Sequence, residues 1–429
     1  MLLAVLLADQ VAGTLTTDRN GDPNFVYSEH WLNSEQMFPV SLSLPLTSEL
    51  HLGAKVSPVL WGLLPDNETL LQRWGSHFHV SPRNPVALLS YVGEDCAGAI
   101  QFVTPERVSD VLSGADDGLI HISDVELEER LASLRADRGA SSQIDDIGQF
   151  SLAGAQSKIA LHKLDDGRWA MPSGRIPTTH ILKPPSGDFE GYVENEMFCL
   201  RLASLLGLPS ANVEKLKVGT ETAICVERYD RLQLGSRWIR IHQEDFCQAL
   251  GVMPHIKYQS QGGPGPSDLA TIIRAHSSEP EYDSQVLLMA LMYNYLIGGT
   301  DAHAKNYSLL FSPEGSIRLA PLYDISSALP YSRMQKRKIK LAMKIGSSYK
   351  WWDIRLIDWQ ATAESMHMDP DKAIVDIAVM ASTLPQLAVQ LLEQFKQEGN
   401  GHPILDSLVA EIHDSCQRLL RKFEYSPDA

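Results

Sequence analysis

No C-x-x-C pair occurs in these 429 residues, and the five cysteines (Cys96, Cys199, Cys225, Cys247, Cys416) form an odd, scattered set. A disulfide framework and a cysteine-built zinc site are therefore not expected, and a reducing cytoplasm suits such usage. Net positive charge is also lacking. Thirty-seven Lys and Arg against 53 Asp and Glu leave −16, which disfavours a broad nucleic-acid-binding face on this chain alone. No stretch approaches the ~20 consecutive apolar residues of a membrane span, so no membrane association is expected. The opening Met1-Leu-Leu-Ala-Val-Leu-Leu-Ala run has no cation ahead of it, Arg19 being the first, and reads as a buried strand rather than a signal segment. Neither G-x-G-x-x-G nor G-x-x-x-x-G-K-[ST] is present, which removes the dinucleotide and Walker-type phosphate loops.

What is present divides into a strand-rich half and a helical half, an α+β pattern. The first hundred residues alternate short apolar runs with turn residues, through Phe25-Val-Tyr-Ser-Glu-His-Trp-Leu32, and predict a β-meander, followed by a helix over 63–74. Residues 1–110 read as a β-rich domain, and the polar, acidic 111–148 as a connecting segment with a short helix near 123–135. Residues 149–240 read as a nucleotide-binding part, and 241–429 as a helical lobe. The expected helices fall near 193–206, 244–250, 267–275, 284–297, 371–381, 386–397 and 403–423. A ligand cleft between the strand-rich and helical lobes is expected.

Phosphoryl transfer from ATP needs a cation on the phosphates, a carboxylate facing the acceptor hydroxyl, and oxygen ligands for Mg²⁺. In Asn294-Tyr-Leu-Ile-Gly-Gly-Thr-Asp-Ala-His-Ala-Lys-Asn306 an apolar helix end runs into a polar loop. Asp301 and Asn306 stand there at the spacing of the Asp and Asn in a protein-kinase catalytic loop. Asp324, in Leu322-Tyr-Asp324, is placed to bring a second carboxylate to the same ion. Lys183 closes an apolar strand before Pro184-Pro185, where a phosphate-contacting lysine belongs, with Glu194 or Glu196 as its candidate partner. The loop Ser151-Leu-Ala-Gly-Ala-Gln-Ser-Lys158 carries small residues that let backbone N–H groups approach phosphate oxygens. Taken singly, each piece has a plainer reading as a turn or a solvated strand end. Gly262-Gly-Pro-Gly-Pro reads as a flexible turn. The basic run Arg333–Lys340 reads as a solvated face or a polyanion contact.

In this order the motifs, with Glu227-Arg-Tyr-Asp-Arg231 between them, resemble the HipA family of kinase toxins. The segments Leu63-Leu-Pro-Asp66 and Gly93-Glu-Asp-Cys-Ala-Gly-Ala99 match its N-terminal pattern. The resemblance implies a bilobal protein-kinase-like fold and an ATP- and Mg²⁺-dependent serine/threonine kinase. Such a kinase is the toxin of a toxin–antitoxin module and is associated with growth arrest and persistence. It also implies a HipB-like helix-turn-helix antitoxin as partner, DNA contact mainly through that complex, and a translation-related protein target such as glutamyl-tRNA synthetase. Carried onto this sequence, Asp301 is the catalytic base and Asn306 and Asp324 are the metal ligands. The ATP contacts are Ser151, Ala153, Gly154, Ala155, Lys158, Lys183, Glu227, Tyr229, Asp230, His303, Lys305 and Tyr323. Glu227 and Tyr229 fall where the backbone meets adenine, and Asp230 where a carboxylate holds the ribose. Ser151 is the implied autophosphorylation site. The family often has Glu before the loop lysine where this chain has Gln156-Ser157, which makes Ser157 a second candidate acceptor. His303 stands where conventional kinases carry a lysine, with Lys305 two residues on. Small-molecule phosphotransfer, or a silent ATP-binding regulator, remain the competing functions; intact Asp301, Asn306, Asp324 and Lys183 weigh against the silent one.

Overall fold

The computed structural model describes residues 1–136, 151, 154, 156–185, 189–235, 237–312 and 315–424. Ala153 and Ala155, two of the expected ATP contacts, and most of the expected connector beyond residue 136 lie outside the described residues. The chain forms two compact units. The first comprises residues 1–187, 216–255 and 308–317, and the second 188–215, 256–307 and 318–429.

In the first unit, strands β1 (Leu2–Leu7), β2 (Gln10–Thr17), β3 (Pro23–Tyr27) and β4 (Gln101–Val103) form a sheet in the order β3-β2-β1-β4. The opening apolar run is thus the interior strand β1, with Leu3, Leu6 and Leu7 fully buried. The second sheet contains β5 (Gly118–Ile122), β6 (Ile159–Lys163), β7 (Trp169–Ser173), β8 (His180–Lys183), β9 (Val213–Val218) and β10 (Glu221–Glu227), ordered β5-β7-β6-β8-β10-β9.

Residues 118–136, read as connector, are built into this sheet. β5 pairs along β7, and helix Asp124–Ala136 packs Leu127, Leu131 and Leu134 against Ile159, Leu161, Trp169, Leu182 and Cys225. The helix starts where it does because Ser123 and Glu126 cap each other: the Ser123 N–H donates to the Glu126 carboxylate at 2.8 Å and the Glu126 N–H to the Ser123 hydroxyl at 3.3 Å. Each leucine so buried contributes about 1.5–3 kcal/mol, which outweighs the polarity of the segment's outer face.

The helix expected over 63–74 is instead two, Gly53–Leu63 and Glu68–His77. The break holds Pro65, whose ring disfavours helical backbone in the residue before it, and Asn67 caps the second helix by accepting the Leu70 N–H.

The second unit is built on helices Tyr192–Leu205, Pro266–His276, Pro280–Ile297, Leu356–Ser365, Pro370–Gln397 and Pro403–Glu424, with a small hairpin, Lys340–Ile345 and Ser348–Lys350. The last helix buries Leu405, Leu408, Ile412, Cys416 and Leu419, the face its sequence period predicts. Residues 371–397, expected as two helices around Pro385, are one. An interior proline costs about 3 kcal/mol, but the buried stripe Ala373, Ile377, Met380, Leu384, Ala388, Leu391 and Phe395 runs unbroken across it. This helix is also long and apolar enough to cross a membrane, contrary to the expectation of no such stretch. Its one-sided burial against the helices before and after it is that of a core helix. The five cysteines are buried and none forms a disulfide.

Candidate active site

In the first unit, the small-residue loop docks on the break between the two helices near residue 65. The Ser151 hydroxyl donates to the Leu63 carbonyl at 2.8 Å, and the Ser151 N–H to the Asp95 carbonyl at 3.0 Å. Asp66 N–H donates to the Gly154 carbonyl at 3.1 Å, and Gly154 makes a parallel bridge with Pro65. Gly154 has φ +106°, and a Cβ there would lie 2.6 Å from Lys158 Nζ. The position therefore favours glycine for its backbone, and the Lys158 ammonium lies over the loop. The Gln156 amide donates to the Pro184 carbonyl at 3.4 Å, which fastens the loop beside Lys183. Lys183 ends β8 opposite Ile224 of β10 and is buried. Leu63–Asp66 and Asp95, recognisable beforehand only as family pattern, are thus the seat of the loop.

β10 ends at Glu227, which is exposed, as a hinge-side backbone position would be. Tyr229 donates its hydroxyl to Gln243 Oε1 at 2.5 Å. Asp230, expected on a ribose, is instead occupied inside the protein. It takes two bonds from Arg228, at 3.0 and 2.8 Å, and one from the Gly98 N–H at 2.7 Å, with its side chain 3% exposed. A carboxylate so desolvated needs those cations.

Asp95 anchors the same network, accepting from Thr178 N and Oγ1 at 3.0 and 2.6 Å, from Arg231 at 2.9 Å and from Arg240 at 3.0 Å. Burial alone would raise its pKa. The Arg231, Arg240 and Arg228 guanidiniums and the Thr178 bond outweigh burial and hold the carboxyl well below the usual range.

In the second unit, helix Pro280–Ile297 hands over at Gly298 to the expected catalytic loop. The Asp301 side chain is 61% exposed, whereas His303, Lys305 and Asn306 are buried. Asn306 Nδ2 donates to the Asp301 carbonyl at 2.7 Å, and the His303 N–H donates to the same oxygen at 2.8 Å. The loop thus holds its own backbone while presenting the Asp301 carboxylate. With its amide nitrogen engaged in this way, Asn306 offers its oxygen as the atom for a cation.

Tyr323 Oη donates to the Lys305 carbonyl at 2.6 Å. The residue before Asp324 is thereby tied to the residue before Asn306. Leu322 bridges Ser210, through Ala211 N–H to Leu322 O and Leu322 N–H to Pro209 O, both 2.8 Å. Asp324 itself has φ +57°, a left-handed conformation that costs a non-glycine residue on the order of 1 kcal/mol and persists where the surroundings enforce it. An amide oxygen and a carboxylate are the oxygen donors that Mg²⁺, a hard cation, takes. Bound there, the ion would neutralise phosphate charge.

Of the two acids considered for Lys183, Glu194 bonds Lys215 at 2.5 Å, while Glu196 is fully buried. The basic run is largely exposed, with Lys336 on Glu411 at 2.5 Å and Arg337 over the Trp352 ring. Two features of the structure carried no sequence signal. One is the contact of Tyr258 with Asp301. The other is Glu244, a buried acid that accepts from Ser41 Oγ and the Leu42 N–H at 2.5 and 2.9 Å. Burial pushes the Glu244 carboxyl up to about 8, against the opposing pull of those two bonds.

Comparison with known proteins places these motifs in a family. Residues 3–103 match the HipA N-terminal domain and residues 150–388 the HipA-like C-terminal domain. A putative kinase, Y4mE, of Sinorhizobium fredii is 39% identical over 83% of each chain. The serine/threonine-protein kinase toxin HipA of Shewanella oneidensis is 30% identical over 91% of this chain and 89% of that one. The solved complex of Shewanella oneidensis MR-1 HipA, HipB and its operator DNA contains a chain that superposes with a TM-score of 0.82, at 27% identity, over 98% of both. On the match to both domains and on these identities, this chain belongs to the HipA family, whose named members are kinases.

Proposed function

We propose that this protein is an ATP- and Mg²⁺-dependent serine/threonine protein kinase and the toxin of a toxin–antitoxin pair, with a HipB-like DNA-binding antitoxin as its partner. The observation that carries the reading is the loop around Asp301, an exposed carboxylate on a backbone pinned by Asn306, tied through Tyr323 to the strained Asp324. Asp301 takes the proton of the acceptor hydroxyl as the new O–P bond forms to the γ-phosphorus and the bond to the β–γ bridging oxygen breaks, releasing ADP. Lys183, with Lys158 and the Gly154 loop, carries the phosphate charge. The names of the Shewanella relatives support the toxin role.

We further propose Ser151 as the self-phosphorylation site, with Ser157 the second candidate. The Ser151 hydroxyl is buried and bonded to Leu63, so modification requires the loop to leave its seat. A phosphate of about −1.5 to −2 charge then keeps it from returning.

One experiment tests the whole reading: incubation with Mg²⁺ and labelled ATP, mapping of the phosphate by mass spectrometry, and growth on overexpression, for the parent and Asp301→Ala. The parent incorporates phosphate at Ser151 and arrests growth, and Asp301→Ala does neither. Near-parental transfer by Asp301→Ala refutes the assignment of the base.

A further inference from the structure

We propose that Tyr258 is the positioning residue of this reaction, holding the Asp301 carboxylate in the orientation that receives the acceptor's proton; the proposal rests on the reading of Asp301 as the base. The Tyr258 hydroxyl donates to Asp301 Oδ1 at 2.5 Å. Asp301 is mostly exposed, and an unrestrained carboxylate on a loop samples several rotamers, each of which must be given up to reach one productive geometry. A donor on Oδ1 restricts that freedom.

Tyr258 is itself a rigid mount. Its carbonyl accepts the N–H groups of Gln261 at 2.9 Å and Gly263 at 3.0 Å, and its ring packs edge-on against the buried His303 at 5.0 Å between centroids. A Cβ on Gly263 would lie 2.0 Å from the Ile256 carbonyl oxygen and 2.8 Å from that of Tyr258, so only glycine closes this turn. The neighbouring Gln259 side chain accepts the Lys344 N–H at 2.7 Å and so ties the turn to the hairpin. Gly262-Gly-Pro-Gly-Pro, expected to be a flexible turn, therefore serves to fix the tyrosine that addresses the base.

The chemical type of the donor fits the role. A guanidinium on Asp301 would stabilise the carboxylate so strongly that it would make a poor base. A phenol keeps its own proton at neutral pH and orients the carboxylate through a single bond. His303 Nε2 lies 3.9 Å from the same Oδ1. In the transfer step the acceptor's proton passes to Oδ2 and from there to solvent, while Tyr258 keeps its proton throughout.

The test is Tyr258→Phe in the full chain, beside Asp301→Asn, with self-phosphorylation from Mg²⁺ and labelled ATP as the readout. Tyr258→Phe is expected to lower kcat about tenfold and leave the KM for ATP and the melting temperature unchanged, since the loss of an orienting donor acts on the transfer step alone. Asp301→Asn is expected to be inactive. An unchanged kcat in Tyr258→Phe, beside an inactive Asp301→Asn, overturns the role of Tyr258 and leaves the base assignment standing. A rate loss that comes with a raised KM for ATP or a lowered melting temperature marks a merely structural tyrosine and also overturns the proposal. A faster Tyr258→Phe overturns it too, since the hydroxyl would then be competing with the acceptor. An active Asp301→Asn, or a parent that incorporates no phosphate, refutes the proposed function itself.

Discussion

Replacing Asp95 by asparagine tests whether the seat of the phosphate loop is held by charge. The substitution keeps shape and volume and removes one negative charge from a cluster of Arg228, Arg231 and Arg240 with Asp95 and Asp230, whose side chains are all at most 8% exposed. Three cations against two anions leave +1, and Asp95→Asn would leave +2. The amide also turns an –NH₂ donor toward groups that are themselves donors, and it cannot satisfy Thr178 N and Oγ1, Arg231 and Arg240 together. Breaking a buried pair from one side costs about 3–5 kcal/mol. For a cooperative unit of about 150–250 residues that is a drop in Tm of roughly 6–20 °C.

The pH dependence fixes the sign. Asp95 is held below its ordinary value in the folded state, so its contribution is complete above about pH 4, the unfolded value, and fades as pH falls through the lower folded value. The gap between parent and Asp95→Asn should therefore be constant from pH 5 to 8 and narrow below pH 4. Urea unfolding followed by near-ultraviolet circular dichroism at pH 3.5, 5 and 7 measures it. A loss under about 1 kcal/mol at pH 7, or a gap that widens toward acid, refutes the reasoning.

Glu244→Gln should act in the opposite sense. A carboxyl raised from 4.5 to about 8 stabilises below its unfolded value and loses that contribution as pH rises to about 8, a swing of roughly 3–5 kcal/mol; the glutamine variant should lack that loss, so the parent-minus-variant difference falls as pH rises, and parallel curves for the two proteins in urea unfolding at pH 5, 6.5 and 8 would show that Glu244 does not titrate there. Asp324→Gly removes a left-handed non-glycine residue and should leave stability within about 1 kcal/mol of the parent, relief of strain offsetting the extra freedom of the unfolded chain, while calorimetry shows Mg²⁺-dependent ATP binding lost. A loss of several kcal/mol with nucleotide binding intact would make Asp324 structural.

The parts of the site that could be read in the sequence are those in which chemistry dictates residue type at short range. Asp301 and Asn306 sit in one loop, and the structure shows why their spacing matters: Asn306 reaches back to the Asp301 carbonyl. The turn at Gly154 was readable because small residues cluster there, and the positive φ at Gly154 agrees with it. The helix face from Leu405 to Leu419 was readable because burial follows helical period. Pro385 misled because a local rule was outweighed by a buried stripe that only the packed helix reveals. Glu194, one of two acids considered for Lys183, bonds Lys215 instead, because a carboxylate in the first turn of a helix can meet lysines from more than one strand and sequence does not show that Lys215 is the near one. Tyr258 is 43 positions from Asp301, with two helices between them, so nothing in either segment announces the other.

The aspartates of this chain show how the structure separates roles that sequence leaves alike. Asp95 and Asp230 each sit among arginines and are desolvated. A carboxylate so paired has its proton affinity depressed and its lone pairs occupied, which makes it strong as an anchor and useless as a base. Asp301 faces solvent and takes a phenolic hydroxyl, which orients a carboxylate without cancelling its charge. Asp324 sits in a backbone conformation that its side chain does not favour, held by the two residues before it: Tyr323 bonds the Lys305 carbonyl and Leu322 bonds Pro209 and Ala211. Asp230 occupies a motif position expected to meet ligand, and Arg228, two residues earlier, reaches it through Nε and Nη2. Pairing with buried arginines is what separates Asp95 and Asp230 from the exposed Asp301.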